Sequence, residues 1–202
     1  MVRRIEYSLW FIAAICLVFW VFMKTQTLLA QTEAVKRMDS LIVATELDAP
    51  DSSQWSKLRI EEHRAGQDIL GAADALAILE IPAFDLRVAV FNGTGDDVLN
   101  IGVSRIPGTG RIGEPGNLGL AGQRDGFFRP LKDISMGDVI VDRHARGVDR
   151  YEVSDLLIVN PENVSVLAPT DSATLTLVTC YPFYFVGNAP KRFIVVAEKL
   201  AS

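Results

Sequence analysis

From Leu76 onward the chain is a series of short apolar runs, each closed by Gly, Pro, Asn or Asp. Runs of this length are too short for stable helices, and their β-branched and aromatic residues suit the pleated surface of a sheet. The pattern predicts strands at Leu76–Ile81, Leu86–Phe91, Leu118–Ala121, Asp138–Asp142, Tyr151–Ser154, Leu156–Asn160, Thr174–Cys180 and Arg192–Glu198. Asn92-Gly93 is a turn signal, and Phe128 to Ile134 reads as a short helical turn. Many short strands with regular turns bury their apolar faces by closing on one another, as a sandwich or a closed barrel.

The first quarter of the chain has a different pattern. Tyr7 to Met23 is an uncharged run of seventeen residues with a single serine. That lies at the short end of the roughly 17–25 residues a helix needs to cross a bilayer. Trp10, Trp20 and Tyr7 stand near its ends, where interfacial aromatics sit, and Arg3 and Arg4 precede it. Residues 1–24 are therefore expected to be an uncleaved transmembrane anchor, with the N-terminus cytoplasmic and the body extracytoplasmic. Lys24, Lys36 and Arg37 act against that orientation. A cleaved signal peptide, with Leu28-Leu29-Ala30 as a poor cleavage site, is the alternative. Residues 25–75 read as a helical stalk that also touches the domain. Ala34, Val35, Met38, Leu41 and Ile42 have helical spacing, and Asp48 to Ser53 breaks the pattern. Ser53 would then cap a second helix from Gln54 to about Gly66. Residues 76–202 form the main domain.

Composition removes several functions. A net charge of −5, with Lys and Arg scattered, argues against nucleic acid, whose phosphates call for a basic face. Cys16 and Cys180 are the two cysteines; they are far apart, and no Cys/His cluster has zinc spacing. Asp96-Asp97, Asp138 and Asp142 read as turn and edge carboxylates, because no single loop collects enough oxygens for calcium. No metal and no cofactor is expected. Gly108-Thr-Gly110-Arg-Ile-Gly113 matches a dinucleotide pattern, but Glu114-Pro115-Gly116 follows and cannot continue a helix, so the segment reads as a loop. Asn92-Gly-Thr and Asn163-Val-Ser match the glycosylation acceptor pattern and read as plain turns.

Chemistry concentrates between Thr174 and Arg192. A β-branched run ends on Cys180, followed by Tyr181-Pro182, and Arg192 stands twelve positions on. A free cysteine is most often a small buried hydrophobe. Here Pro182 cannot continue a ladder, which sets Cys180 at a sheet rim. If the strands beginning at Thr174 and Arg192 pair, the two side chains face each other. A guanidinium there lowers the thiol pKa and can hold a developing oxyanion. The plain reading of Arg192 alone would be a surface ion pair.

Thr174-Leu-Thr-Leu-Val-Thr-Cys180 resembles the cysteine motif of sortases, and Arg192 falls on that family's arginine. Asn117-Leu-Gly-Leu-Ala-Gly-Gln123-Arg-Asp-Gly-Phe-Phe-Arg-Pro-Leu-Lys-Asp-Ile134 resembles the family's histidine segment, and Ile101 to Thr109 with Pro115-Gly116 resembles the class D-like branch. The likeness runs from about Leu76 to Glu198. It implies a mainly β fold, a closed eight-stranded β-barrel with short helices, behind an N-terminal transmembrane helix and stalk. It implies a membrane-anchored cysteine transpeptidase or peptidase of the cell surface, cutting a C-terminal sorting-signal peptide of the Leu-Pro-x-Thr-Gly kind. Cys180 would form an acyl-enzyme, Arg192 would stabilise the oxyanion, and an amine acceptor would resolve the thioester.

The departure from the family is Gln123, which stands where the histidine belongs. Histidine moves protons because it titrates near neutrality; an amide hydrogen-bonds but does not ionise. Loss of acid–base help costs about 10²–10⁴-fold. The other histidines, His63 in the stalk helix and His144 in a hairpin turn, read as solvated. Two functions stay open: a transpeptidase with reduced competence, or a non-catalytic membrane-anchored protein that binds peptides in the same groove.

Overall fold

Alternation along the strands decides which side of the sheet is inside. In the strand Thr174–Tyr181, Leu175 and Leu177 are fully buried in the main core, beside Leu118, Leu120, Val195 and Ala197. The intervening Thr174, Thr176, Val178 and Cys180 therefore point to the other face. The same inward set continues around the molecule until the sheet meets itself. The computed structural model describes residues 52–53, 55–69, 75–93, 95–184 and 189–201. The expected anchor and first stalk helix lie outside these residues.

Eight strands form the closed barrel: β1 (Ala77–Ile81), β2 (Leu86–Asn92), β3 (Val103–Arg105), β4 (Asn117–Ala121), β5 (Val139–His144), β6 (Gly147–Val159), β7 (Thr174–Tyr181) and β8 (Lys191–Lys199). Their order around the wall is β1-β2-β3-β4-β7-β8-β6-β5. Two neighbours are parallel, β2 with β3 and β4 with β7; the rest are antiparallel. Parallel neighbours need crossover connections rather than hairpins. The first crossover carries a short helix, α2 (Asp96–Ile101), and the second contains β5 and β6. Before the barrel comes α1 (Lys57–Ile69).

The predicted strands all appear, with three differences. β3 was not predicted, because three residues are too few to show a period. β6 is one strand where two were expected: a register shift between Val153 and Asp155 marks a bulge, which breaks the alternation without ending the pairing. α2 was also unforeseen, since Gly95 and Gly102 bracket only six residues. In α1 the cap is Ser56 rather than Ser53: its Oγ accepts from the Arg59 backbone N–H at 3.2 Å. The expected helical turn is a 3-10 helix at Arg129–Asp133. Residues 108–116 are loop, as the Pro-Gly pair requires, and Asn163 caps a short 3-10 turn by accepting from Ser165.

One end of the barrel interior is polar, contrary to expectation. Asp142 is fully buried and is no edge carboxylate. It pairs with Leu79 on one side and Asp149 on the other, so all three face inward. His144 is likewise no solvated turn residue: its side chain is 5% exposed. Its Nδ1 accepts from the Arg146 backbone N–H at 3.3 Å, and its Nε2 stands 3.4 Å from Asp149 Oδ2. Lys199 Nζ closes the group with a 2.7 Å ion pair to Asp149 Oδ1. Gly113, at φ +71°, lets the loop lie on the His144 ring; a Cβ there would meet the ring at 2.6 Å. Burial, then the neighbouring Asp149 carboxylate, raise the Asp142 pKa from 3.8 to about 7, against an opposing pull from Lys199. Tyr151, buried beside both carboxylates, is also raised.

Candidate active site

Cys180 and Arg192 are register partners across the antiparallel pair β7/β8, so their side chains stand on one face. Parity puts that face on the outside of the barrel, at the end where β7 stops and β8 begins. Both residues are partly exposed. Arg192 Nη1 donates to the backbone carbonyls of Ala189 at 3.3 Å and Lys191 at 3.1 Å. Those contacts hold the guanidinium near its own strand, and among the described residues no carboxylate neutralises it. A cation on the strand next to a thiol at a sheet rim is one of the arrangements that favour nucleophilic sulfur.

Gln123 reaches the same rim from β4. That strand runs parallel to β7, with Ala121 paired to Val178. β4 ends at Ala121 and Gln123 follows two residues on; continued that far, the same register would set it level with Cys180. The chain stays close past the ladder's end: Gly122 N–H donates to Val178 O at 3.1 Å, and Thr179 Oγ donates to Gly122 O at 2.8 Å. Gly122 is required here, since a Cβ would lie 2.5 Å from the buried Phe128 ring. Arg124 Nη1 donates to Pro182 O at 3.2 Å and ties the exits of β4 and β7 together. The structure thus brings all three residues singled out from sequence onto adjacent strand ends, in the order Gln123, Cys180, Arg192.

Further along the outer face, the sheet is covered. Beside Gly119 stand Leu167 and Thr109, both within 2.9 Å of where a Cβ would be. Asn117 holds that cover down: its Nδ2 donates to Val166 O at 3.0 Å and Ala168 O at 3.1 Å, and its Oδ1 accepts from Thr176 at 2.7 Å. Cys180 lies beyond this cover and is partly exposed.

Three residues around Gln123 were not foreseen. Gln123 Nε2 donates to Asn100 Oδ1 at 3.0 Å, and Arg59 of α1 donates to the same oxygen at 2.6 Å. Arg59 also pairs with Asp125 at 3.2 Å and Glu62 at 3.0 Å. His63 is buried at 8% exposure rather than solvated, edge-on to Trp55 and Phe127. Its Nδ1 lies 2.8 Å from the Asn100 carbonyl; a carbonyl only accepts, so Nδ1 carries the proton. No spacing in the sequence links these residues, because Arg59 and Asn100 are 41 positions apart. Neither His63 nor His144 hydrogen-bonds Cys180: His63 reaches Gln123 through Asn100, and His144 is at the other end of the barrel. Among the described residues no cluster of His, Cys, Asp or Glu is arranged to hold a metal.

A family model for the sortase domain matches residues 79–200, and the chain belongs to the sortase family. It is 34% identical over 127 residues to Sortase D of Bacillus subtilis, an overlap of 62% of this chain and 64% of that protein. Against Sortase A of Listeria monocytogenes it is 30% identical over 124 residues, covering 59% of this chain and 54% of the other. The chain therefore matches less than two thirds of the length of either relative. The crystal structure of Listeria monocytogenes sortase A superposes with a TM-score of 0.58 at 26% identity, over 63% of this chain and 88% of that one. A Clostridium perfringens Sortase D5 transpeptidase shares the fold, with a TM-score of 0.58 at 24% identity over 75% of this chain and 92% of that one.

Proposed function

We propose that this chain is a membrane-anchored cysteine transpeptidase or peptidase acting on the C-terminal sorting signal of a surface or secreted protein. The Cys180 thiolate attacks the scissile carbonyl, and Arg192 stabilises the oxyanion. The C–N bond breaks, leaving a thioester on Cys180, and the departing amine takes up a proton. An incoming amine then attacks the thioester and releases the thiol. The observation that carries the reading is the register pairing of Cys180 with Arg192 at the rim, with Gln123 two residues past the end of the neighbouring strand β4. The apolar run Tyr7–Met23 supports an anchor with the domain outside the membrane; among the described residues no helix is long and apolar enough to cross one.

Gln123 limits the rate, because neither proton step has an ionisable group in the histidine position. A second reading draws on the same observation: a peptide-binding protein in which Arg192 and Gln123 hold a chain that is never cut. A cleavage assay on a sorting-peptide library separates the two. Turnover lost in Cys180→Ala supports the enzyme. Peptide binding unchanged in Cys180→Ala, with no turnover in either protein and no adduct with a vinyl-sulfone probe, supports the binding protein.

A further inference from the structure

We infer that Arg59 and Asn100 are positioning residues that lock the Gln123 amide in one orientation, leaving its carbonyl oxygen as an acceptor for an N–H of the incoming amine. The ligand side of this inference rests on the proposed reading of the rim; the locking does not.

A guanidinium donates and never accepts. Arg59 Nη1 lies 2.6 Å from the Asn100 side chain, so the atom it meets must be oxygen. That same oxygen lies 3.0 Å from the Gln123 side chain. The Gln123 atom facing it must therefore be the NH₂, since the flipped amide would set two oxygens against each other. Three side chains are ordered in series, and Gln123 has no choice left. The head of the series is itself held: Arg59 is 11% exposed and bonded to Asp125 and Glu62. His63 fixes the Asn100 backbone from the same helix at 2.8 Å.

What remains is Gln123 Oε1, buried and without a partner. A buried acceptor left empty is unfavourable, and it is satisfied when a donor arrives. Asn100 takes one of the two N–H groups of the Gln123 NH₂, so the amide presents one remaining donor and one acceptor, and in the proposed reading Arg192 serves the oxyanion. An acceptor level with Cys180 suits the amine that attacks the thioester. Oε1 would receive one N–H and orient the nitrogen lone pair toward the carbonyl, without removing the proton. This gives the glutamine a role of its own, and makes α1 part of the site.

The test uses the full chain in detergent, labelled with [¹⁵N]glutamine; the side-chain pair that vanishes in Gln123→Glu identifies Gln123. The expected result is slow solvent exchange of its NH₂ protons, at least tenfold faster in Arg59→Met and Asn100→Ala. Asn100→Asp keeps two acceptor oxygens and should restore the slow exchange, which a loss of packing alone would not predict. Triglycine added as the amine probe should shift the Gln123 signals in the native chain and in Asn100→Asp, but not in Asn100→Ala. In cleavage assays the KM for triglycine should rise about tenfold in Arg59→Met, with the KM for peptide unchanged. Exchange at Gln123 that is indifferent to Arg59 and Asn100 overturns the locking, and triglycine shifts that persist in Asn100→Ala overturn the acceptor role. If no variant cleaves peptide while the exchange pattern holds, the transpeptidase reading fails and the locking stands.

Discussion

The two ends of the barrel handle charge in opposite ways. At the rim, a thiol, a guanidinium and a neutral amide share the outer face, and the histidine position holds a group that does not titrate. At the far end, Asp142, Asp149, His144 and Tyr151 crowd the interior, and the exposed Lys199 reaches Asp149 from the barrel mouth. β8 connects the two: Lys199 is seven residues beyond Arg192, or ~23 Å of extended strand. One imidazole, His144, thus sits with two carboxylates where they plug a barrel, while the imidazole at the Gln123 end, His63, is held behind Asn100. Where proton transfer would be wanted there is only hydrogen bonding. The titratable cluster and the candidate nucleophile thus lie apart, and it is the outward parity and register of Cys180 that single out the rim as the candidate site.

The largest effect expected from disturbing this contrast is at the rim. Gln123→His restores a titratable group level with Cys180, and peptide cleavage should rise by about 10²–10⁴-fold. A steady-state assay that finds no gain would mean that the rest of the site is not assembled for catalysis.

At the other end, Asp142→Asn should stabilise the protein by on the order of 2–4 kcal/mol at pH 8, and by little at pH 4. The sign follows from the raised pKa of about 7. The folded protein keeps a proton that the unfolded chain releases above 3.8. The native contribution is therefore complete below that value and is lost as pH rises through about 7. Urea denaturation across this range should show stability falling with pH in the native chain and a flatter profile in Asp142→Asn. Identical slopes would remove Asp142 as the cause.

Smaller effects sharpen the geometry of the rim. Gly122→Ala drives a Cβ to 2.5 Å from a Phe128 ring that has no exposed side to retreat to. A loss of about 1–3 kcal/mol is expected, with thiol labelling of Cys180 altered because the β4 exit must move. Thr176→Val removes the donor to the buried Asn117 oxygen, at a cost of about 1–3 kcal/mol. Thermal denaturation measures both. A neutral Gly122→Ala would show that the β4 exit is looser than the packing implies.

Much of the fold was legible because a strand with one buried face writes its period into the sequence. β1, β2, β4, β5, β7 and β8 were readable from that alternation, and Cys180 and Arg192 followed from where β7 and β8 had to stop and start. The pattern failed where pairing overrides it. β3 is too short to have a period, and β6 continues through a bulge that looks like an end. The histidines were misread for the same underlying reason. A turn sequence such as Asp142-Arg-His-Ala-Arg-Gly147 states that the chain reverses, not which side of the wall its last strand residues face.

The sequence by itself determined most of the barrel strands, the identity of the nucleophile candidate, its arginine on β8 and the amide that follows β4 on its other side. These are local properties: periodicity, a proline that stops a ladder, a motif at fixed spacing. Only the tertiary structure decided that Arg59, Asn100 and Gln123 share one oxygen, and that Asp142 and His144 lie inside. Contacts across 41 positions, and the inward or outward parity of a strand end, are set by how a closed sheet completes itself. No short stretch of chain contains that information.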